Sequence, residues 1–338
     1  MKIAVIGCGK QAPKHIKGLI DNEIEDIVLF DVNLEAAKSL AEQFDLQVIE
    51  NEDKIFNDSS INAVDICTPV QFHKPFIEKA IASNKHFFCE KPLSSSLQDD
   101  EAIAKLAKEQ NAIGMLGYIY RFAPALSKAK EIFEGNDLGR LHTAFLRIGG
   151  RGNHMEWKHQ KASGGGALNE MAVHMIDLAY WYFGEIENIE LLEADMRLPK
   201  RTIGGKEIIC DAEDYLLIKL KSKSGVNVTI MADFVTPAFS QYVEVQGENG
   251  SFSGSIQPNY NNNLFLINKT DNYSKGNNPI SFKDNNLFKF QMGEFVEAVK
   301  SNSQPNKCSL SDSVEVMKAH ASLKHQLDSL LKTKQLAS

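Results

Sequence analysis

Apolar residues fall into short blocks over the first third of the chain and into alternating rows later. Ile3–Ile6, Ile27–Phe30, Ala63–Cys67, His86–Cys89 and Ala112–Leu116 are compact, largely apolar runs. Runs of that length read as strands buried on both faces. Between them, Ala12–Ile20, Leu34–Phe44, Phe72–Ala82 and Leu97–Lys108 carry apolar residues at helical spacing, and Gln47–Ile49 adds a short strand. Strand and helix in alternation predict a doubly wound parallel α/β sheet.

After about Gly117 the pattern changes. A helix (Pro124–Glu134) and a strand (Thr143–Ile148) are followed by the glycine run Gly164, Gly165, Gly166 and a helix from Asn169 to Phe183. In Tyr215–Lys221, Leu216, Ile218 and Leu220 share one face. In Val226–Phe234, Val226, Val228, Ile230, Ala232 and Phe234 share one face, and Asn227, Thr229, Met231 and Asp233 point outward. A period of two predicts an antiparallel sheet with one buried side. The Asn-rich stretch 259–286 reads as loop around a weak strand, Leu264–Ile267, and a last helix, Leu310–Leu331, packs back on the body. The chain thus divides into a Rossmann domain, residues 1–119, and an α+β domain, residues 120–338, with a mainly antiparallel open sheet.

Composition narrows the class. The length of 338 residues suits about two domains. There are 37 Lys+Arg against 44 Asp+Glu, a net charge of −7, so the footprint of a nucleic-acid binder is missing. No apolar run approaches the roughly 18 residues of a membrane helix. Only Ile3–Ile6 precedes Gly7, too short for the apolar core of a signal peptide. Five cysteines, none in a CxxC pair, suit reduced thiols. The expectation is a cytoplasmic protein that binds neither nucleic acid nor membrane.

The first strand runs into Gly7-Cys8-Gly9-Lys10-Gln11-Ala12, a G-x-G-x-x-A turn that opens a helix. The first glycine permits the tight turn, the second lets a pyrophosphate approach the backbone, and the small Ala12 packs helix on strand. Free N–H groups at the helix start face the phosphates. Asp31 ends the second strand, 31 − 12 = 19 residues after Ala12. An acid at that distance binds the adenosine ribose hydroxyls and repels a 2′-phosphate, which favours NAD over NADP. Asp31 also precedes a helix and is a candidate N-cap.

Three further segments carry a family resemblance. Thr68-Pro69-Val70-Gln71-Phe72-His73 follows the fourth strand, Glu90-Lys91-Pro92 follows the fifth, and Gly164–Asp177 opens a helix in the second domain. With Gly247-Glu248-Asn249-Gly250 after a later strand, they resemble the glucose–fructose oxidoreductase / inositol dehydrogenase / MocA family over most of the chain. The resemblance implies an NAD(P)-dependent oxidoreductase acting on a sugar, a cyclic polyol or a derivative. It implies that Lys91 is the catalytic lysine and His174 the catalytic histidine, and that Thr68, Pro69, His73 and Glu90 serve the cofactor side. Tyr120 and Arg121 match an aromatic/Arg pair at the substrate. A homodimer or homotetramer, paired through the second sheet, is the family habit. Two positions depart from it: Glu170 stands where the family usually has Asp, and Val70 where Asn is common. A non-catalytic sensor of dinucleotide and sugar on the same fold is the competing reading.

The chemistry supports the same residues. Hydride transfer from a secondary alcohol needs a base for the hydroxyl proton and a donor for the developing oxyanion. Lys91 lies at the C-terminal end of a parallel strand, where open α/β sheets bind ligands. Glu170, His174, Asp177 and Trp181 are spaced i, i+4, i+7, i+11 and share one helical face, with Trp181 expected in the core. On that face the Glu170 carboxylate is one turn from the His174 imidazole, and Asp177 divides between a substrate contact and a structural role. Arg147, Asn153, His154, Trp157 and Lys158 precede the glycine run and are candidate sugar contacts. No metal-ligand spacing is present and hydride transfer requires no metal. Cys8, Cys67 and Cys89 are expected to be small packing residues.

Overall fold

The computed structural model describes residues 1–152 and 155–337, and the side chains as far as Leu330. Asn153 and His154, two of the candidate sugar contacts, lie outside the described residues.

The N-terminal elements are β1 (Lys2–Ile6), α1 (Ala12–Ile20), β2 (Ile27–Phe30), α2 (Leu34–Phe44), β3 (Gln47–Val48), α3 (Glu52–Asn57), β4 (Ile61–Ile66), α4 (His73–Ala82), β5 (His86–Cys89), α5 (Leu97–Glu109) and β6 (Gly114–Leu116). All six strands pair in parallel in the order β3-β2-β1-β4-β5-β6. Order reverses at β1, so the carboxyl ends of β1 and β4 flank the crevice where such sheets take ligands. The central strands are apolar on both faces because helices cover both: Ile3, Ala4, Val5 and Ile6 are fully buried, as are Ala63, Val64 and Ile66.

The second set of elements is α6 (Pro124–Glu134), β7 (Leu141–Gly149), α7 (Val173–Phe183), β8 (Ile186–Asp195), β9 (Lys200–Ile203), β10 (Lys206–Ile209), β11 (Tyr215–Ser222), β12 (Asn227–Asp233), β13 (Ser240–Gly247), β14 (Gly250–Gly254), β15 (Asn263–Leu266) and β16 (Gly276–Pro279). Eight of these strands form one sheet, β16-β15-β14-β13-β7-β12-β11-β8, antiparallel except for the parallel pair β7–β12. The face predicted to be buried is buried: Leu216, Ile218, Val228, Ile230 and Ala232 are inaccessible, and α7 with the turn before it packs on β12. The outward row has one exception. Asp233 is fully buried, because the Arg147 guanidinium reaches it at 2.6 Å and Thr236 donates to it. Arg147, expected near the sugar, therefore anchors the end of β12. Trp181 is half-buried, not core: α7 is apolar nearly all round, and Trp181 stacks on Tyr182 instead. β16, Gly-Asn-Asn-Pro, lay in the stretch read as loop; it is an edge strand with no apolar row to announce it.

Two more helices follow, α8 (Leu287–Ser301) and α9 (Leu310–Ala337). The chain forms two compact units. One comprises Met1–Phe122 and Asn286–Met317; the other comprises Ala123–Asn285 and the chain from Lys318. The return of 286–317 to the first unit, where the sequence reading runs the second domain unbroken from 120, has a local cause. The Phe288 ring of α8 packs against the His15 ring of α1, and the Asn22 amide donates to the Lys289 carbonyl at 2.8 Å. No described helix is long and apolar enough to cross a membrane.

Asp100, in the first turn of α5, is fully buried, and the Ser94 hydroxyl donates to it. Burial pushes its carboxyl from 3.8 up to about 7. The folded chain then holds a proton that the unfolded chain releases, so this group's contribution to stability falls as pH rises across that window, by about 1.4 kcal/mol per unit. Asp100→Asn should raise the urea midpoint at about pH 8 and leave it unchanged at about pH 4. Equal shifts at both pH values would show that the carboxyl ionises in the folded chain as it does in water.

Candidate active site

In the first unit the candidate residues gather at the carboxyl ends of β1, β4 and β5. Gly7 has φ +95°, and a β-carbon there would meet the Cys67 carbonyl group at 2.9 Å, so only glycine makes this turn. A β-carbon on Gly9 would meet nothing within 4 Å, which leaves the outer side of the turn open. Gly9 and Lys10 are exposed, Gln11 is half-buried, and Ala12, the first residue of α1, is fully buried. Gln11 caps α1 without a side-chain hydrogen bond; Pro13 has no N–H to offer, and the Lys14 and His15 amides donate to the Gln11 carbonyl at 2.9 and 3.2 Å.

Asp31 accepts from the Cys8 amide at 2.7 Å and from the Asn33 amide at 2.7 Å. It is not the cap of α2; Asn33 is, accepting from the Ala36 amide. A carboxylate has about four acceptor sites, so two remain beyond these amides, beside the turn. Burial, then Asp31, pushes the Cys8 thiol up to about 12, and burial does the same for Cys67. Both are thiols at neutral pH, as packing residues should be.

The Thr68 hydroxyl is buried and has no hydrogen-bond partner among the described residues. An orphaned hydroxyl next to an open glycine turn fits a dinucleotide at this edge. His73 is buried below it, its ring nitrogens 2.8 Å from the carbonyls of Thr68 and Pro92. It ties the Thr68-Pro69 loop to the Lys91–Pro92 segment, and burial lowers its pKa. Pro69 is exposed at the rim.

Glu90 and Lys91 follow β5. The Lys91 amide donates to Glu90 Oε2 at 3.1 Å, and Gln11 Nε2 reaches Glu90 Oε1 at 3.4 Å. Gly117 leaves room for this carboxylate: a β-carbon there would lie 2.8 Å from Glu90 Oε2. Sequence reasoning missed the two groups behind Glu90. His15 of α1 is fully buried, with Nε2 3.1 Å from Glu90 Oε1 and Nδ1 3.1 Å from both Asp65 oxygens. Asp65, on the central strand β4, is fully buried too. A carboxylate inside an apolar strand run was the available signal, since a buried charge demands a partner.

Also in the first unit, Arg121 is 1% exposed and reaches Asp312 at 3.0 Å. Tyr120 lies beside it, half-buried, its phenol pushed up by burial. In the second unit a π-helical turn, Leu168–Ala172, precedes α7 and carries Glu170. Such turns are frequent at functional sites. Glu213 fixes the start of this turn: its backbone carbonyl accepts from Ala167 at 2.9 Å and its carboxylate accepts from Leu168 at 3.0 Å. Glu170 pairs with Lys158 at 3.0 Å, with both side chains mostly buried. Trp157 is 41% exposed with the Lys158 ammonium over its ring. His174 is half-buried and Asp177 buried in α7.

With this geometry established, the chain can be set beside known proteins. Residues 1–118 match a model described as an oxidoreductase family with an NAD-binding Rossmann fold, GFO/IDH/MocA. Residues 126–253 match the C-terminal domain of the same family. The chain is 26% identical over 253 residues to levoglucosan dehydrogenase of Pseudarthrobacter phenanthrenivorans, covering 66% of this chain and 63% of that one. It is 26% identical over 259 residues to glucose-6-phosphate 3-dehydrogenase of Bacillus subtilis, covering 74% and 73%. A solved levoglucosan dehydrogenase, in complex with NADH and levoglucosan, superposes with a TM-score of 0.83 over 95% of both chains at 20% identity, which speaks for the fold.

Asp31→Ala should weaken NAD binding by about 1.5–3 kcal/mol, the scale of a hydrogen bond to a charged group. NADP binding should hold or improve, since the carboxylate that repels its 2′-phosphate is gone. Fluorescence titration of both cofactors checks this, and a native protein that prefers NADP would overturn it.

Proposed function

The chain belongs to the Gfo/Idh/MocA oxidoreductase family, and we propose that it is a dehydrogenase that uses NAD, rather than NADP, to oxidise a secondary hydroxyl of a sugar, a cyclic polyol or a derivative, or to reduce the matching ketone. The observation that carries the reading is the junction after β5. Lys91 is held there by Glu90 beside the open Gly7–Ala12 turn, at the end of the sheet where ligands bind.

Gly7, Gly9, Lys10, Gln11 and Ala12 hold the pyrophosphate, Asp31 the ribose, and Thr68 and Pro69 the edge, with His73 fixing the loop beneath. When bound, the nicotinamide supplies the hydride acceptor. The Lys91 ammonium donates to the substrate oxygen and stabilises it as it becomes negative. His174 accepts the hydroxyl proton, so that proton and hydride leave together and a ketone remains. Glu170 shapes the charge around His174. Trp157 offers a ring face to a sugar, with Tyr120 as a second contact. Arg121 and Asp177, buried in their own units, hold these segments in place. The Lys158–Glu170 pair balances charge before substrate arrives, which suits a neutral polyhydroxylated molecule better than an anion. Half-buried Phe145 and Tyr242 and exposed Phe265 on the open face of the large sheet favour a homodimer or homotetramer.

Purified protein with NAD and a panel of sugars, inositols and nucleotide sugars should form NADH, read by its near-ultraviolet absorbance. Lys91→Ala should lower turnover by roughly 10²–10⁴-fold and change NAD affinity far less. Tight NAD and sugar binding with no NADH from any substrate would point to the sensor reading; full turnover in the variant would remove Lys91 from the chemistry.

A further inference from the structure

We propose that His15 is a positioning residue that works as a buried imidazolium, clamping Glu90 against Asp65 so that Glu90 stays ionised and grips the backbone of Lys91.

Both ring nitrogens of His15 face carboxylates. Nδ1 is 3.1 Å from Asp65 Oδ1 and Oδ2, and Nε2 is 3.1 Å from Glu90 Oε1. A neutral imidazole carries one N–H and can donate to one of them only; the doubly protonated ring satisfies both. Two buried carboxylates around a neutral ring would leave an acceptor facing an acceptor. The groups around the ring agree. Phe88 of β5 and Phe288 of α8 flank it with their rings, and from β4 and β5 it is faced by Asp65, Cys67 and Glu90. Cys67 Sγ also lies 3.2 Å from Nδ1, beside the Asp65 carboxylate. Burial opposes the charged ring, and Cys67, then Asp65, raise His15 well above its usual value. Burial likewise opposes an ionised Glu90, and the hydrogen bond and charge of His15 together with Lys91 outweigh it and hold Glu90 low.

The consequence runs along α1. Gln11 at the phosphate turn and His15 one turn later both touch Glu90 Oε1, and Glu90 Oε2 takes the Lys91 amide. One carboxylate thus joins the helix that receives the cofactor to the proposed acid–base lysine. Without His15, Asp65 and Glu90 would share a buried site with no cation between them, and one of the pair would hold a proton into the neutral range. A protonated Glu90 no longer accepts the Lys91 amide with a full charge.

The role in turnover rests on the dehydrogenase reading; the charge state of His15 does not, and the two are tested separately. Long-range ¹H–¹⁵N spectra of the wild-type protein, histidine-labelled, should show both His15 nitrogens protonated at neutral pH, where a free imidazole is mostly neutral. A neutral tautomer at pH 7 would overturn the proposal. So would metal analysis finding a stoichiometric ion on His15, Asp65 and Cys67, whose ligand atoms lie within 4.8 Å of one another. In turnover, His15→Gln should lower kcat roughly tenfold near neutral pH, with KM for the sugar changed less than about threefold. The deficit should be largest on the acid side and shrink as pH rises and the carboxylate ionises; a purely structural loss would not vary in this way. Glu90→Gln should abolish that pH dependence, and the double variant should lose no more than the worse single one. A pH-independent deficit, or additive losses, would refute the link to Lys91. Should no substrate be turned over, the dehydrogenase reading fails and the spectra still decide the state of His15.

Discussion

Three parallel strands ending in step is the constraint on which the first unit depends. Ile6 pairs with Ile66, and Ile66 with Cys89. The ladder then runs one residue further: Cys67 donates to the Ile6 carbonyl at 2.8 Å, Glu90 to Ile66 at 3.0 Å, and Gly117 to Cys89 at 2.8 Å. Gly7 is level with Cys67 and Glu90, and Thr68 and Lys91 are the next positions out, so a shared register brings the turn, the edge hydroxyl and the lysine to one end of the sheet. The same closeness forbids a side chain at Gly7 and leaves room at Gly117 for a carboxylate. A slip of one residue in any of these pairings would turn every side chain to the other face.

Buried charge recurs, and in each instance removing one partner would be more costly than the pair itself. Arg147 with Asp233 closes the end of β12, and Arg201 with Asp214 holds the start of β11 against the β9–β10 hairpin. Asp65, His15 and Glu90 differ in that one end of the set reaches a backbone amide next to a candidate acid–base residue. The first two sets fix strands; the third fixes the backbone of a candidate site residue.

The Rossmann half was legible because strands buried on both faces must be apolar throughout, and helices between them must show a 3.6-residue period. The glycine turn and Asp31 were legible because their spacing is set by ligand size. The buried network was harder to see. His15 sits on the buried face of α1 with Ala12, Ile16 and Leu19, where one polar residue barely disturbs the period. The π-helical turn before α7 was hidden for a related reason: it adds a residue to the turn, and the apolar sequence reads equally well as a plain α-helix. Edge strand β16 carries no pattern because neither of its faces contributes to the core. Arg147 looked available for a sugar because a strand residue's partner across the sheet, here Asp233, cannot be read from local sequence.

Each unit prepares its candidate residues by the same device. In the first, the Glu90 carboxylate accepts the backbone amide of Lys91; in the second, the Glu213 carboxylate accepts the backbone amide of Leu168 at the turn that bears Glu170. Burial pushes the Glu213 carboxyl up while the Leu168 amide pulls it back, so the bond helps to keep the group an acceptor. A carboxylate that holds a backbone N–H fixes where the chain runs without engaging the side chain next to it. The backbone at Lys91 and at the turn bearing Glu170 is held in this way, and the Glu170 side chain is held a second time by Lys158. Positioning a residue directly through its functional group would restrain it equally well and occupy the donor or acceptor that the reaction needs. Two glutamates thus fix the main chain beside the candidate residues, one in each unit.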